Sequence, residues 1–189
     1  MNGDEVISEF KKTGALLEGH FQLTSGLHSG IYLQCAKVLQ FPDKAEKFGR
    51  AIADNFKTTQ IDFVASPAIG GIIIGHEVAR SIGVRFIWTE REAGTMTLRR
   101  GFAVVPGEKA LVVEDVITTG GSTRETIEAL IRAGAVVVGA ASIIDRSGGQ
   151  VNLGVPRFAL ATLKVNAVDV THCVFCERGE AIVKPGSRK

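Results

Sequence analysis

The sequence predicts an α/β fold with a central, mainly parallel sheet flanked by helices. Short apolar runs rich in branched residues alternate with amphipathic helical segments, and this alternation is typical of βαβ units. The clearest run is Leu111–Val113, which is too short for a helix and has the character of a buried central strand. A helical pattern begins again after the turn at 118–123, so strand, turn and helix follow one another closely.

The composition narrows the classes of protein. A chain of 189 residues with 45% hydrophobic residues is long enough for one substantial core, so we expect a single domain over 1–189. A formal charge of +2 is too small to favour a nucleic-acid partner, and no apolar run is long enough to cross a membrane. The amino terminus lacks the pattern of a signal peptide, and three cysteines are an odd count for a secreted disulfide framework, so we expect a soluble, cytoplasmic protein.

The first third of the chain predicts two helices around a hairpin. Val6, Ile7 and Phe10 recur at helical spacing before Gly14, which indicates a short amphipathic helix. Residues 21–35 contain two strand-like pieces and predict a hairpin or folded loop. A second helix begins near Pro42, and one apolar stripe along it consists of Ala45, Phe48, Ile52 and Phe56.

The remaining elements form two βαβ units. The predicted order is strand 61–65, helix 71–82, strand 84–88, a projecting loop or hairpin at 89–102, strand-like 102–105, strand 111–113, a helix to 132, an apolar strand at 135–144, and another strand near 157–165 with a short helix in the tail. Ligands of such sheets bind beyond the carboxyl ends of the strands. Four segments should therefore converge on one cleft: 66–71, 90–101, 114–122 and 145–149.

The segment 114–122 has the chemistry of a sugar-phosphate site. Glu114 and Asp115 end the strand, and Thr118–Ser122 lead into the helix. The first turn of a helix has unpaired backbone N–H groups and the positive dipole end, so it binds phosphate. Carboxylates accept hydrogen bonds from vicinal hydroxyls or hold Mg²⁺. The sequence patterns of Walker A and Rossmann loops are absent, which disfavours a kinase or a dehydrogenase.

This segment closely resembles the motif by which type I phosphoribosyltransferases bind 5-phosphoribosyl 1-pyrophosphate (PRPP). Residues 21–32 (FQLTSGLHSGIY) resemble the N-terminal hood of the orotate phosphoribosyltransferases, and residues 143–149 (IIDRSGG) resemble their later strand end. The resemblance covers nearly the whole chain. It implies the type I phosphoribosyltransferase fold, with a core at about 42–165 and a small hood formed by about 1–40 and C-terminal residues.

The resemblance also implies residue roles. The ribose and 5-phosphate of PRPP would be held by Glu114, Asp115, Val116, Ile117, Thr118, Thr119, Gly120, Gly121 and Ser122. Ala68, Ile69 and Gly70 would approach the pyrophosphate through backbone amides. Orotate would contact Thr118, Arg146, Tyr32 and Thr24. Mg²⁺ would be bound mainly through PRPP; whether Asp115 is a direct ligand stays open.

The chain departs from many relatives in its cations. Thr24 stands where they carry a hood lysine, a second lysine near Gly70 is missing, and the loop 90–101 is short. That loop contains arginines, whose fixed forks suit phosphate oxygens. Arg91 is the first candidate for stabilising the leaving pyrophosphate, and Arg99 and Arg100 are the next. The alternative is that these arginines only keep a loop soluble.

The activity implied by the resemblance is Mg²⁺-dependent transfer of the 5-phosphoribosyl group from PRPP to orotate. The products would be orotidine 5′-phosphate and pyrophosphate, in pyrimidine nucleotide biosynthesis. Glu114 and Asp115 would act electrostatically in this reaction, together with the loop arginines. A homodimer whose loop reaches the neighbouring site is also implied. The alternatives are a purine or uracil phosphoribosyltransferase and a non-catalytic, PRPP-sensing regulator.

One further motif is Cys173-x-x-Cys176, which follows His172. One such pair lacks the four ligands of a structural zinc site, so a plain turn is the favoured interpretation. Zinc shared across a dimer, or a disulfide, stays open. His20 and His28 receive no role from the sequence.

Overall fold

The structure, a computed structural model, describes residues 1–23 and 25–185. Its helices are α1 (Gly3–Lys12), α2 (Ala36–Leu39), α3 (Pro42–Asp54), α4 (Gly71–Ile82), α5 (Gly121–Arg132) and α6 (Val174–Glu177). Its strands are β1 (Leu16–Gln22), β2 (His28–Leu33), β3 (Phe63–Pro67), β4 (Arg85–Glu92), β5 (Thr95–Leu98), β6 (Lys109–Ile117), β7 (Val136–Asp145), β8 (Arg157–Thr162) and β9 (Ala167–Val168).

The larger sheet has six strands in the order β5-β4-β3-β6-β7-β8. All neighbours in it are parallel except β5, which pairs antiparallel with β4 at the edge. The predicted α/β class with a mainly parallel sheet is therefore confirmed. β6 lies in the middle because its apolar run can be covered on both faces.

The alternation of side chains along β6 divides the interior into two clusters. Leu111 and Val113 pack with α1, α3 and α4 on one face of the sheet. Ala110 and Val112 pack with α5 residues such as Leu130 on the other. All four β6 side chains are fully buried. Helices on both faces thus hold β6, and with it the acidic pair at its carboxyl end, in a fixed position.

The N-terminal elements agree with their predictions. α1 begins with a capping box, in which Asn2 Oδ1 accepts from Glu5 N at 2.9 Å and Glu5 Oε2 accepts from Asn2 N at 2.9 Å. α3 begins at Pro42. β1 and β2 form the predicted hairpin, and β9 adds to β2 as the third strand of a small antiparallel sheet.

One predicted strand is wrong. Residues 102–105 are extended but not part of either sheet. The edge of β4 is paired instead with β5, which returns through a tight turn at Ala93 and Gly94, so the alternative of a hairpin at 89–102 is confirmed. Phe102 packs edge-on against Trp88, with ring centroids 4.7 Å apart. Its apolar character reflects this contact rather than a strand.

Among the described residues, no helix combines the length and the apolar character needed to cross a membrane.

Candidate active site

The carboxyl ends of the parallel strands lie at one edge of the sheet, and the segments that follow them meet there. The Arg146 N–H, just after β7, donates to Ile117 O at the end of β6 at 2.8 Å. The Ala68 N–H, after β3, donates to Thr89 O on β4 at 2.8 Å. The four predicted segments are therefore adjacent, as parallel topology requires.

The turn before α5 encloses a cavity of about 230 Å³. It is lined by Arg91, Glu114, Val116, Ile117, Thr118, Thr119, Gly120, Gly121, Ser122, Thr123 and Glu125. Gly120 has φ 74°, and a Cβ there would stand 2.7 Å from Val151 Cγ1, so only glycine fits this turn. The α5 N-terminus begins at the next residue, so its first-turn N–H groups and its positive dipole end belong to this cavity.

β6 continues to Ile117, so the two acids lie within its last four residues instead of ending it, and both are withdrawn from water. Glu114 is buried and Asp115 is half-buried. Burial, and then the charge of Asp115, raise the pKa of Glu114 well above its ordinary value, and burial also raises the pKa of Asp115. A Cβ on Gly70 would lie 2.9 Å from Asp115 Oδ1, so the absence of a side chain lets the backbone at 70 come close to that carboxylate. The pair is suited to hydroxyl groups or a hard cation, either of which would stabilise its ionised form.

Arg146 is a cation with no carboxylate partner among the described residues. Its side chain is half-buried, its Nε is buried without a hydrogen-bond partner, and burial lowers its pKa. The neighbouring Asp145 does not compensate it, because Asp145 is fully buried and pairs with Arg157. Asp145 Oδ1 also accepts from the Ser147 N–H at 2.7 Å. An anion from outside the described residues could therefore become the counterion of Arg146.

Of the other residues predicted to contact the base, Tyr32 lies near Arg146, where it opposes the lowering of the Arg146 pKa. Thr118 is exposed at the rim of the cavity. Thr24 lies outside the described residues.

The three candidate arginines are all paired with carboxylates. Arg91 reaches the cavity, where Nη2 donates to Glu125 Oε2 at 2.5 Å. Arg100 pairs with Glu90 and lies 5.9 Å from the centre of the Trp88 ring. Arg99 lies 3.3 Å from Glu92. Arg91 thus lines the cavity before α5 of its own chain, whereas Arg99 and Arg100 do not.

Sequence reasoning missed three residues in this region. Glu125 carries the ion pair that holds Arg91, and its position one turn into α5 was the available signal. Ser66 has a buried hydroxyl without a partner among the described residues, close to the helix start at Gly71. Cys35 is buried beside Asp115, and nothing in the sequence indicated this contact. The peptide bond between Ala68 and Ile69 is cis.

Outside the cleft, the view that the cysteine pair lacks further ligands is wrong. His20 and His28 lie beside Cys173 and Cys176, with their potential ligand atoms within 4.8 Å of one another. The folded hairpin brings the histidines to the C-terminal segment, and this long-range contact is not visible in the spacing of either pair.

Comparison with known proteins first defines the class. The family model described as "Phosphoribosyl transferase domain" matches residues 36–172, so the chain is a phosphoribosyltransferase-domain protein. Among solved structures, orotate phosphoribosyltransferase from Aeropyrum pernix superposes with a TM-score of 0.68 at 27% identity, covering 84% of this chain and 94% of that one. Adenine phosphoribosyltransferase from Thermoanaerobacter pseudethanolicus shares the fold, with a TM-score of 0.61 at 17% identity over 70% of this chain and 88% of that one.

Full-length relatives then define the particular family. A protein of Pelotomaculum thermopropionicum named orotate phosphoribosyltransferase is 54% identical over 189 residues, covering 100% of both chains. One of that name from Chlorobium phaeobacteroides is 50% identical over 188 residues, covering 100% of this chain and 97% of the other. The chain belongs to the orotate phosphoribosyltransferase family.

Proposed function

We propose that this protein transfers the 5-phosphoribosyl group of PRPP to N1 of orotate, giving orotidine 5′-phosphate and pyrophosphate for pyrimidine nucleotide synthesis. The observation that carries the proposal is Arg146, a half-buried cation without a carboxylate partner among the described residues, beside the phosphate cavity. A base that bears a carboxylate supplies the missing anion. Uracil and the purine bases do not.

The PRPP end of the site follows from the cavity before α5. The 5-phosphate would accept hydrogen bonds from the backbone N–H groups and hydroxyls at 118–122, helped by the α5 dipole. The ribose hydroxyls would donate to Glu114 and Asp115. The backbone of Gly70 lies close to the Asp115 carboxylate, so the pyrophosphate, approached by the amides of 68–70, would lie next to the ribose end of the site.

The orotate end would be built around Arg146. Its guanidinium would form a bidentate pair with the orotate carboxylate, and this pair would compensate for the hydration that the guanidinium loses on burial. Thr118, which lines the cavity, would add a hydrogen bond, and the sequence assigns Tyr32 to the same base. Thr24 stays a sequence prediction for the same pocket.

During transfer, the bond from C1 of the ribose to pyrophosphate breaks as N1 of orotate bonds to C1, and N1 gives its proton to the released pyrophosphate or to water. Positive charge then develops on the ribose, and the adjacent Glu114 and Asp115 would stabilise it electrostatically. Arg91 is the described arginine placed to compensate charge on a bound phosphorylated ligand. Closure of the β4–β5 hairpin would exclude water that could hydrolyse PRPP.

The residues present fit Mg²⁺ as the cofactor. Asp115 is half-buried and offers hard carboxylate oxygens, the donors that Mg²⁺ prefers, so it could be a ligand of a cation held mainly by PRPP oxygens. When bound, the ion would neutralise the leaving pyrophosphate.

The proposal extends to a cytoplasmic homodimer. Arg99 and Arg100 do not line the cavity of their own chain, and the hairpin that carries them is at the edge of the sheet, which is consistent with action at the partner's site. Mixing an Arg99→Ala/Arg100→Ala variant with an Asp115→Asn variant should then restore about a quarter of wild-type activity through mixed dimers. No recovery after exchange of subunits would refute action across the interface.

The decisive assay follows the loss of orotate absorbance with PRPP, with and without Mg²⁺. Turnover of orotate that requires Mg²⁺, and none of uracil or a purine base, is the expected result. Asp115→Asn should be nearly inactive, whereas Asp54→Asn, which changes an exposed aspartate on α3, should behave as wild type. Consumption of another base instead of orotate would support the alternative enzymes, and PRPP binding without turnover would support a regulator.

A further inference from the structure

Four potential metal ligands meet where the β1–β2 hairpin contacts the C-terminal segment, away from the cleft. This His–Cys cluster consists of His20, His28, Cys173 and Cys176. His20, His28 and Cys173 are buried, and Cys176 is half-buried. His20 and Cys173 are 153 residues apart in the sequence, so only the fold brings the two pairs together.

The distances within the cluster suit one tetrahedral ion. His20 Nε2 lies 2.9 Å from His28 Nδ1, 3.5 Å from Cys173 Sγ and 3.6 Å from Cys176 Sγ. Cys176 Sγ lies 3.2 Å from His28 Nδ1. Ligands at the usual zinc–nitrogen and zinc–sulfur distances would be roughly 3.3 to 3.8 Å apart around a tetrahedron. Small side-chain rotations are enough to close the difference.

Hydrogen bonding alone does not account for this arrangement. His20 Nδ1 lies 2.9 Å from Glu180 O and can only donate to that carbonyl, so in the neutral ring Nε2 carries a lone pair directed into the cluster. If His28 Nδ1 carries its proton, it and the two thiols surround this single lone pair, which can accept one strong bond; if it does not, two nitrogen lone pairs face each other at 2.9 Å. A cation at the centre accepts all four ligands. The Glu180 carbonyl would be the outer partner that orients a metal-bound histidine.

The surrounding residues hold the cluster in shape. Cys173 precedes α6 and Cys176 lies within it, so one helical turn presents both sulfurs to the same side. Phe175, between them, stacks on the His20 ring at 5.4 Å. Gly30 makes room for this, because a Cβ there would be 3.1 Å from Phe175 Cζ.

We propose that the His–Cys cluster binds one Zn²⁺ ion within a single chain. Two nitrogens and two sulfurs are the donors of structural zinc sites, whereas Mg²⁺ requires oxygen. Four protein ligands leave no open position for substrate, so the ion is structural. It ties the hairpin to a C-terminal segment whose other links are short, such as the two residue pairs between β2 and β9. The two histidines also lie on the two strands of the hairpin, so the ion would fix β1 against β2.

The test measures metal in untagged protein purified under reducing conditions with zinc in the growth medium. Wild type should contain about one zinc per chain by mass spectrometry. Cys176→Ser and His20→Ala should lose most of it. His172→Ala is the matched control, because His172 adjoins Cys173 in sequence but is exposed and bonds to Asp169, and it should keep its zinc. Equal zinc in wild type and Cys176→Ser would overturn the proposal.

A second measurement covers the case in which a variant fails to fold. Folded wild type stripped of metal should take up one Co²⁺ per chain, with the intense visible absorption of tetrahedral cobalt and a thiolate charge-transfer band. Removing the metal should lower the Tm, and adding Zn²⁺ should restore it. Wild type with neither zinc nor the cobalt spectrum, or with Cys173 and Cys176 joined in a disulfide, would refute the site. None of these readouts depends on turnover.

Discussion

Replacing Arg146 tests the assignment of orotate most directly. In Arg146→Ala the carboxylate of bound orotate loses a charge-assisted, bidentate partner in a half-buried site. Truncating one member of such a pair costs about 2 to 4 kcal/mol, which corresponds to roughly a 30- to 1000-fold rise in the KM for orotate. The KM for PRPP should change little. Arg146→Lys keeps the charge but loses the fork, so its effect should be intermediate.

The structure also predicts the stability of these variants. Because burial lowers the Arg146 pKa without a compensating carboxylate among the described residues, the ligand-free Ala variant should have a Tm no lower than wild type. Steady-state kinetics with each substrate varied, and thermal melts without ligand, give the two readouts. Arg132→Ala, an exposed arginine near the end of α5, is the control. An unchanged orotate KM together with a lowered Tm would make Arg146 a structural residue and refute the reasoning.

Further predictions concern the acids and the turn. Asp115→Asn should reduce turnover by at least about 100-fold, yet raise the Tm of the ligand-free protein at neutral pH, because a carboxylate whose pKa is raised on folding costs stability once it is ionised. In the pH profile of kcat/KM for PRPP, the fall of activity at low pH should report the two acids with an apparent pKa above the 4.5 of an ordinary glutamate. In Asp115→Asn this fall should move to lower pH, because Glu114 loses its charged neighbour. A fall at the same pH in both proteins would contradict this coupling. Gly120→Ala should lower the unfolding free energy by about 1 to 3 kcal/mol in denaturant melts, since φ is 74° and Val151 blocks the new Cβ, whereas Gly121→Ala meets only ordinary contacts and should not; equal melts would refute the steric argument.

Local sequence patterns predicted the central architecture because those patterns are set by burial. Leu111–Val113 lies between two helical layers, and such a strand must be apolar throughout. Glu114 and Asp115 directly follow that run, so the sequence predicted that they lie near the carboxyl end of the central strand. The segment at 102–105 was predicted as a strand because it is apolar, but its Phe102 packs against Trp88 instead. An apolar run alone does not show what it packs against.

Contacts between distant segments could not be predicted. Arg100 pairs with Glu90 because the hairpin brings the two residues together. In the sequence alone, each has the character of an ordinary surface charge. The same limit hid the ligands of the His–Cys cluster, since each pair alone has an unremarkable spacing. Asp145 and Arg146 are adjacent in sequence, yet Asp145 forms a buried ion pair with Arg157, whereas Arg146 has no carboxylate partner among the described residues. The sequence alone does not show that Arg157 lies beside Asp145.

The ion pairs of the β4–β5 hairpin affect which anions can bind to its arginines. Arg91 has Glu125 as its counterion, and Arg100 has Glu90, so an anionic ligand competes with a carboxylate for either guanidinium. A singly charged anion gains little from that exchange in water, whereas a polyphosphate brings several charges to one place. We therefore expect the hairpin to select ligands by charge density, so that it holds a phosphorylated ligand with several charges better than chloride or free phosphate.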